Sequence, residues 1–412
     1  YAIEAPELYE RSGNPYLAPT GADWTDNALR FGALGWVAAE FAGPAPSRQW
    51  RPDILHGHDW QAGLMPAYVA LIGGKRPGTM LTIHNIAYQG QFSPLYMGKL
   101  HLPPHCFHVD GVEYYGDIGF LKAGLYYSDR LTTVSPTYAR EIQSSEYGCG
   151  MEGLLTSRTD NLYGILNGVD YGTWNPSNDS YLAYPYDRDR LEAKAANKAA
   201  LQQELGLEVS ADAPLFAMVS RLNWHKGADL LLKSLPSLFA RNGQLVILGA
   251  GDMDLEDAFR RVAASNPRAA GVHIGYDEAL SHRIQGGADI FMVPSRAEPC
   301  GLTQLYAMRY GTLPLVRRTG GLEDTVIDAT PAALADGCAT GFAFDEPTAA
   351  ALVWAIRRAI DLFRQPERWK SIQRHAMARD FSWTASAQSY SELYRELRPE
   401  RKVVAAVSQG YA

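Results

Sequence analysis

Two cations and a carboxylate stand where an anion and a polar ligand could be handled together. Arg221 and Lys226 fall in SRLNWHKG (220–227), five residues apart behind an apolar run. At the exit of a strand such a pair can converge on one polyanion, arginine as a flat fork of donors and lysine as a point charge. The bland alternative is two solvated loop charges. Glu298 falls in PSRAEPCGLTQLYAMRYG (294–311), behind a second apolar run. A helix expected to begin near Gly301 or Leu302 offers free backbone N–H groups and a positive dipole end to an anion. Phosphate repels a carboxylate, so Glu298 suits hydroxyl groups or developing positive charge. A helix-capping acid is the equal alternative.

Four further motifs are weaker. RRTGGLEDTV (317–326) and LGAGD (248–252) place glycines at strand-to-helix turns, where backbone can approach a ligand. LGAGD is not G-x-G-x-x-G and has no acidic residue at the dinucleotide spacing, which excludes a nicotinamide site. HGHDW (56–60) and TIHNIAYQG (82–90) bring His56, His58, His84 and Asp59 to strand ends. A metal reading would use the three histidines. Polar contacts are favoured, because no second carboxylate follows at usable spacing. The D-x-D tripeptides at 187–189 and 252–254 arise readily by chance in loops, and no metal is expected.

The elements that must position these residues alternate. Apolar strands with polar exits are expected at 53–59, 79–90, 129–136, 214–222, 243–252, 272–276, 289–296 and 312–318, with helical periodicity between them, as at 26–43, 61–72 and 194–207. Asp26 is a plausible N-cap, and Gly43 and Gly206 plausible stops. This is the pattern of two α/β domains with a seam near 160–190. The length of 412 residues suits two domains, and the net charge of −7 gives no nucleic-acid footprint. Cys106, Cys149, Cys300 and Cys338 are widely spaced, which points to a reducing compartment. No run reaches the length of a membrane span. The chain begins at Tyr1 rather than Met, so its natural start is expected upstream, and the tail RKVVAAVSQGYA (401–412) is expected to be frayed.

Taken together, HGHDWQAG, TIHNIAYQGQF, FLKAGLYYSD, TTVSPTYAREI, GMEGLL, LNGVD, SRLNWHKG, the long segment VPSRAEPCGLTQLYAMRYGTLPLVRRTGGLEDTV and the late FSW resemble bacterial glycogen synthases, which share a glycosyltransferase family with plant starch synthases. The likeness runs from about Asn14 to Tyr394. It implies the α/β GT-B fold, two Rossmann-like domains around an interdomain cleft: 1–165 on the acceptor side, 166–377 for the nucleotide sugar, and 378–398 as a helix returning to the first domain. It implies a cytoplasmic enzyme that transfers glucose from ADP-glucose to the non-reducing end of an α-1,4-glucan, with retention and without a cofactor. Arg221 and Lys226 would bind the diphosphate. Glu298 would face the glucose, with the backbone of Cys300, Gly301, Leu302 and Thr303 against the glucosyl phosphate. His84 would lie by the anomeric carbon. Asp59 and Asn167 would line the sugar pocket, Tyr16 the cleft, and Tyr276 the adenine. A front-face mechanism, in which the leaving phosphate helps deprotonate the acceptor, suits the family better than a Glu298 nucleophile.

One departure stands out. The family opens with a strand and a K-T-G-G-L loop that touches the donor, and the only T-G-G-L here lies at 319–322. Roughly 80 N-terminal residues are expected to be missing by that comparison, about half a Rossmann-type domain. The chain could then bind glucan or nucleotide without turnover. A neighbouring sucrose or trehalose-phosphate synthase is the third reading, opposed by EPCGLTQ and by Leu305 and Tyr306 where many such relatives carry a second glutamate.

Overall fold

A computed structural model of the chain describes residues 2–43, 50–72 and 74–397. The tail from 401 and position 398 of the expected return helix lie outside the described residues. Among the described residues the chain forms two compact units, one drawn from 2–133, 142–163 and 388–397, the other from 134–141 and 164–387.

The second unit is built on a six-stranded sheet. Its order is Ala270–Ile274, Gln244–Gly249, Leu215–Val219, Ile290–Val293, Leu313–Arg317, Phe342–Phe344, and every pairing is parallel. Numbered along this sheet, that is 3-2-1-4-5-6, the Rossmann order. Strands covered on both faces must be apolar throughout, and Leu215, Phe216, Leu245, Ile247, Ile290, Phe291, Leu313 and Leu315 are all fully buried. The order reverses between Leu215–Val219 and Ile290–Val293. The loops that leave these two neighbours diverge to opposite faces, which opens a crevice at their carboxyl ends. Both loops carry motifs singled out in the sequence.

The first unit holds a four-stranded sheet in the order Ile54–His58, Gly78–Ile83, Arg130–Thr133, Leu162–Gly164. Its first two pairings are parallel. Helix Asn27–Glu40 packs on Leu64–Ile72 through Gly35, where a Cβ would come within 3.0 Å of the Met65 nitrogen. The Asp26 side chain does not cap this helix. Arg11 takes it instead, in a bidentate pair at 2.6 and 2.7 Å. The helix stops at Glu40, before Gly43. Gly206 does follow a helix end, with φ +70° behind Glu192–Glu204.

Helix Trp383–Leu397 is divided between the units at Gln388. In the second unit Ser386 donates to the Leu166 carbonyl at 2.7 Å. In the first, the Tyr394 hydroxyl meets His56 Nδ1 at 2.7 Å.

Candidate active site

In the second unit a cavity of about 160 Å3 lies at the reversal of strand order. It is lined by Ser220, Arg221 and Lys226 from one strand exit and by Ser295, Glu298, Gly301, Leu302 and Thr303 from the other. Lys226 Nζ donates to Glu298 Oε2 at 2.6 Å, and Ser295 Oγ donates to the same oxygen at 2.9 Å. Glu298 is buried. A carboxylate taken out of water needs such partners, because burial without them costs several kcal/mol. Glu298 is therefore no helix-capping acid. Among the described residues the Arg221 guanidinium has no protein partner, and it is exposed.

The next helix, Thr303–Arg309, has Leu302 at its N-cap. Among the described residues the N–H groups of Gly301, Leu302, Thr303 and Gln304 donate to no protein acceptor, as the first N–H groups of a helix must unless capped. Gly301 turns with φ +69°. The cavity thus gathers an unpaired guanidinium, an ammonium held on a carboxylate, and unbonded amides. That set can neutralise a diphosphate at one end while a carboxylate meets hydroxyl groups at the other.

Several residues that hold this geometry escape sequence reading. Gln304, fully buried, donates to the carbonyls of Cys300 and Gly301, both at 3.0 Å, and pins the turn. Arg317 reaches back to the Ser295 carbonyl at 3.0 Å. Arg296 N donates to the His225 carbonyl at 2.8 Å, tying the two exits together. Glu141 accepts from Gly320 N at 2.9 Å and Thr319 Oγ1 at 3.0 Å. Only the buried face of the helix holding Gln304 was a signal. The others act mainly on backbone groups distant in sequence.

The glycine motifs approach protein rather than ligand. A Cβ at Gly320 would lie 2.0 Å from the Glu298 carbonyl oxygen, and one at Gly321 2.2 Å from that of Cys300. Gly249 and Gly251 press likewise on the carbonyls of Ser220 and Leu222, at 1.8 and 2.2 Å. Gly227, at φ +71°, presses on Pro294 at 2.1 Å. These glycines let the loops around the cavity stack backbone on backbone.

The Cys300 thiol lies against the Asn167 backbone, and burial pushes its pKa up to about 12. It is protonated at neutral pH, so Cys300 is packing material there rather than a nucleophile. Asn167 does not line the cavity, although its backbone adjoins that turn. Tyr276 also stands outside the lining. Its ring is exposed, on the loop after Ala270–Ile274, and its hydroxyl bonds to Glu278.

His84, Asp59 and Tyr16 belong to the first unit. Asp59, at φ +55°, is a non-glycine in the left-handed region, and its Oδ1 accepts from His84 N at 2.7 Å. Strain of that kind persists where the surroundings fix it. His84 Nε2 shares a hydrogen bond with His58 Nδ1 at 3.0 Å, and His58 stacks on His56 with ring centres 4.4 Å apart. Both His56 nitrogens are engaged, with Tyr394 and with Thr82, each at 2.7 Å. Burial, with His58 and His84 nearby, pushes its pKa down to about 3. His56 is thus neutral and has no lone pair left for a metal. Among the described residues no three His, Cys, Asp or Glu side chains converge on a metal position. Tyr16 stacks on Phe31 at 5.8 Å and accepts from Gln61 Nε2 at 2.9 Å.

Residues 1–157 match the family model of the starch synthase catalytic domain, and 205–376 that of glycosyl transferases group 1. A glycogen synthase of Albidiferax ferrireducens is 52% identical over 405 residues, 98% of this chain and 82% of that protein. The chain belongs to the glycogen synthase family. A second member, from Serratia proteamaculans, is 54% identical over 96% of the chain and 83% of its own length. The catalytic domain of starch synthase IV from Arabidopsis thaliana, solved with ADP and acarbose, superposes with a TM-score of 0.84 at 32% identity, over 91% of this chain and 78% of that one. A sucrose-phosphate synthase from Thermosynechococcus elongatus shares the fold alone, with TM-score 0.58 and 18% identity, over 94% of this chain and 82% of its own. The GT-B fold and the family resemblance both hold, and the chain is a hexosyltransferase of that family. Among the described residues no helix is long and apolar enough to cross a membrane.

Proposed function

We propose that this chain transfers glucose from ADP-glucose to the non-reducing end of an α-1,4-glucan, with retention at the anomeric carbon and release of ADP. The observation that carries the reading is the Lys226–Glu298 pair at the switch point, beside Arg221 and the unbonded amides of 301–304. Cleaving the glucosyl–phosphate bond builds negative charge on the departing diphosphate and positive charge on the sugar ring. Arg221, Lys226 and the amides meet the first, preorganised in a partly desolvated site where such contacts count most. Glu298 meets the second and accepts from sugar hydroxyls. The departing phosphate takes the proton of the acceptor hydroxyl, so the glucan oxygen attacks from the face that ADP leaves. His84 and Asp59 serve the sugar end, with Asn167 and Tyr16. Tyr276 serves the adenine. The site uses no metal, because two side-chain cations and a helix end already balance the diphosphate. Cytoplasmic location fits this reading, because nucleotide sugars are made and used there.

The reading is tested by following glucose from ADP-glucose into glycogen by NMR, with excess EDTA present. New α-1,4 anomeric signals at an undiminished rate are expected. New β linkages would contradict the retaining reading, and loss of transfer in EDTA the metal-free one.

A further inference from the structure

Trp224 stands within the motif that supplies Arg221 and Lys226, yet it does not line the cavity. Its side chain remains 56% exposed. An exposed indole is commonly mobile and incidental, but this one is held. The Arg296 guanidinium lies 4.2 Å from its ring centre and covers one face. Arg296 is in turn fixed by Asp229 in a two-pronged pair at 2.7 and 2.9 Å, and it donates to the Trp224 carbonyl at 2.5 Å. The His225 ring meets the indole edge-on, with centres 5.3 Å apart. One face is backed by a clamped cation, the His225 ring stands nearly perpendicular to the indole, and more than half of the residue is still exposed.

A rigid, flat apolar face beside polar loops is the surface on which the C–H face of a pyranose stacks, while the sugar hydroxyls stay in water. The guanidinium pins the ring, so little side-chain entropy remains to be lost on binding. A polymeric acceptor has many glucose units beyond the one that reacts. From these observations we infer that Trp224 is a stacking platform for a glucose unit of the glucan, outside the donor cavity. The inference rests on the glucan reading above. The nucleotide is the other flat ligand available; its adenine is assigned above to Tyr276, which leaves the Trp224 face to the glucan, and KM for ADP-glucose separates the two.

The test is native electrophoresis through gels containing glycogen, with wild type, Trp224→Ala and Trp224→Phe, alongside KM for ADP-glucose and thermal melts. Trp224→Ala is expected to bind glycogen about 3- to 10-fold more weakly, the size of one aromatic stacking contact. Its KM for ADP-glucose and its Tm should stay at wild-type values, and Trp224→Phe should keep most of the affinity. Wild-type affinity in Trp224→Ala overturns the inference. So does a raised KM for ADP-glucose with glycogen binding intact, which would assign the ring to the nucleotide. A fall of several degrees in Tm that accounts for the loss would make the indole a cover for Arg296, and also overturns it. If glycogen fails to retard even the wild type, the glucan reading itself is what falls.

Discussion

Lys226→Ala lowers kcat/KM for the nucleotide sugar by about 10²- to 10³-fold, the loss typical when one preorganised donor to a developing anion is removed. Two effects combine. On the proposed function the departing diphosphate loses its point charge, and Glu298, now held by Ser295 alone, keeps a buried carboxylate without its cation. Lys226→Arg restores charge but not shape. The compact ammonium sits 2.6 Å from a carboxylate oxygen, and a planar guanidinium on a longer stem presents its donors differently, so Lys226→Arg is expected to recover only part of the activity. Steady-state kinetics on the three proteins check this. A loss confined to KM would show that Lys226 contributes equally to ground and transition states, against the role given to it.

Gly320→Ala has the second large effect, and it is structural before it is kinetic. At φ +44° an alanine pays the left-handed penalty, about 1–2 kcal/mol. Its Cβ also falls 2.0 Å from the Glu298 carbonyl oxygen, which is backbone and cannot swing aside. The combined destabilisation is about 3–5 kcal/mol, a fall in Tm of roughly 6–20 °C for a unit of this size. Any relief must move the Glu298 segment, so activity should be lost in the protein that remains folded. Gly206→Ala is the control. Its φ is +70° and nothing lies within 4 Å of the added methyl, so it carries the conformational cost alone and leaves kcat intact. Melts and kinetics on both variants separate strain from contact. Equal effects from the two would remove the argument that Gly320 is required by the backbone of Glu298.

The parts of this site that were legible in sequence are those that local pattern controls. Apolar runs such as LFAMV and IFMV mark strands, and a polar exit from a parallel strand faces the ligand edge, so Arg221, Lys226 and Glu298 can be placed from the sequence. Phe342–Phe344 was missed because three residues carry no readable alternation. The small antiparallel sheet of Gln91–Phe92, Asp117–Gly119 and Glu113–Tyr114 escaped for the same reason. The glycines of TGG and GAG suggest openings to a ligand, but in the fold their missing Cβ atoms make room for neighbouring loop backbone. Sequence cannot distinguish these, because both need the same missing Cβ. Gln304 and Arg317 act on backbone carbonyls, and nothing in their own types says which loop they will hold.

The proposed function requires that the carboxylate and cations at the switch point act on a glucosyl donor. The most direct test is to incubate the chain with ADP-glucose and glycogen and to measure ADP release beside a Glu298→Ala control. Release that depends on added glycogen, and falls by at least about 10²-fold in the control, is the predicted result. Glycogen-dependent release at the same rate in Glu298→Ala would contradict the account, because the chemistry would then lie elsewhere in the molecule.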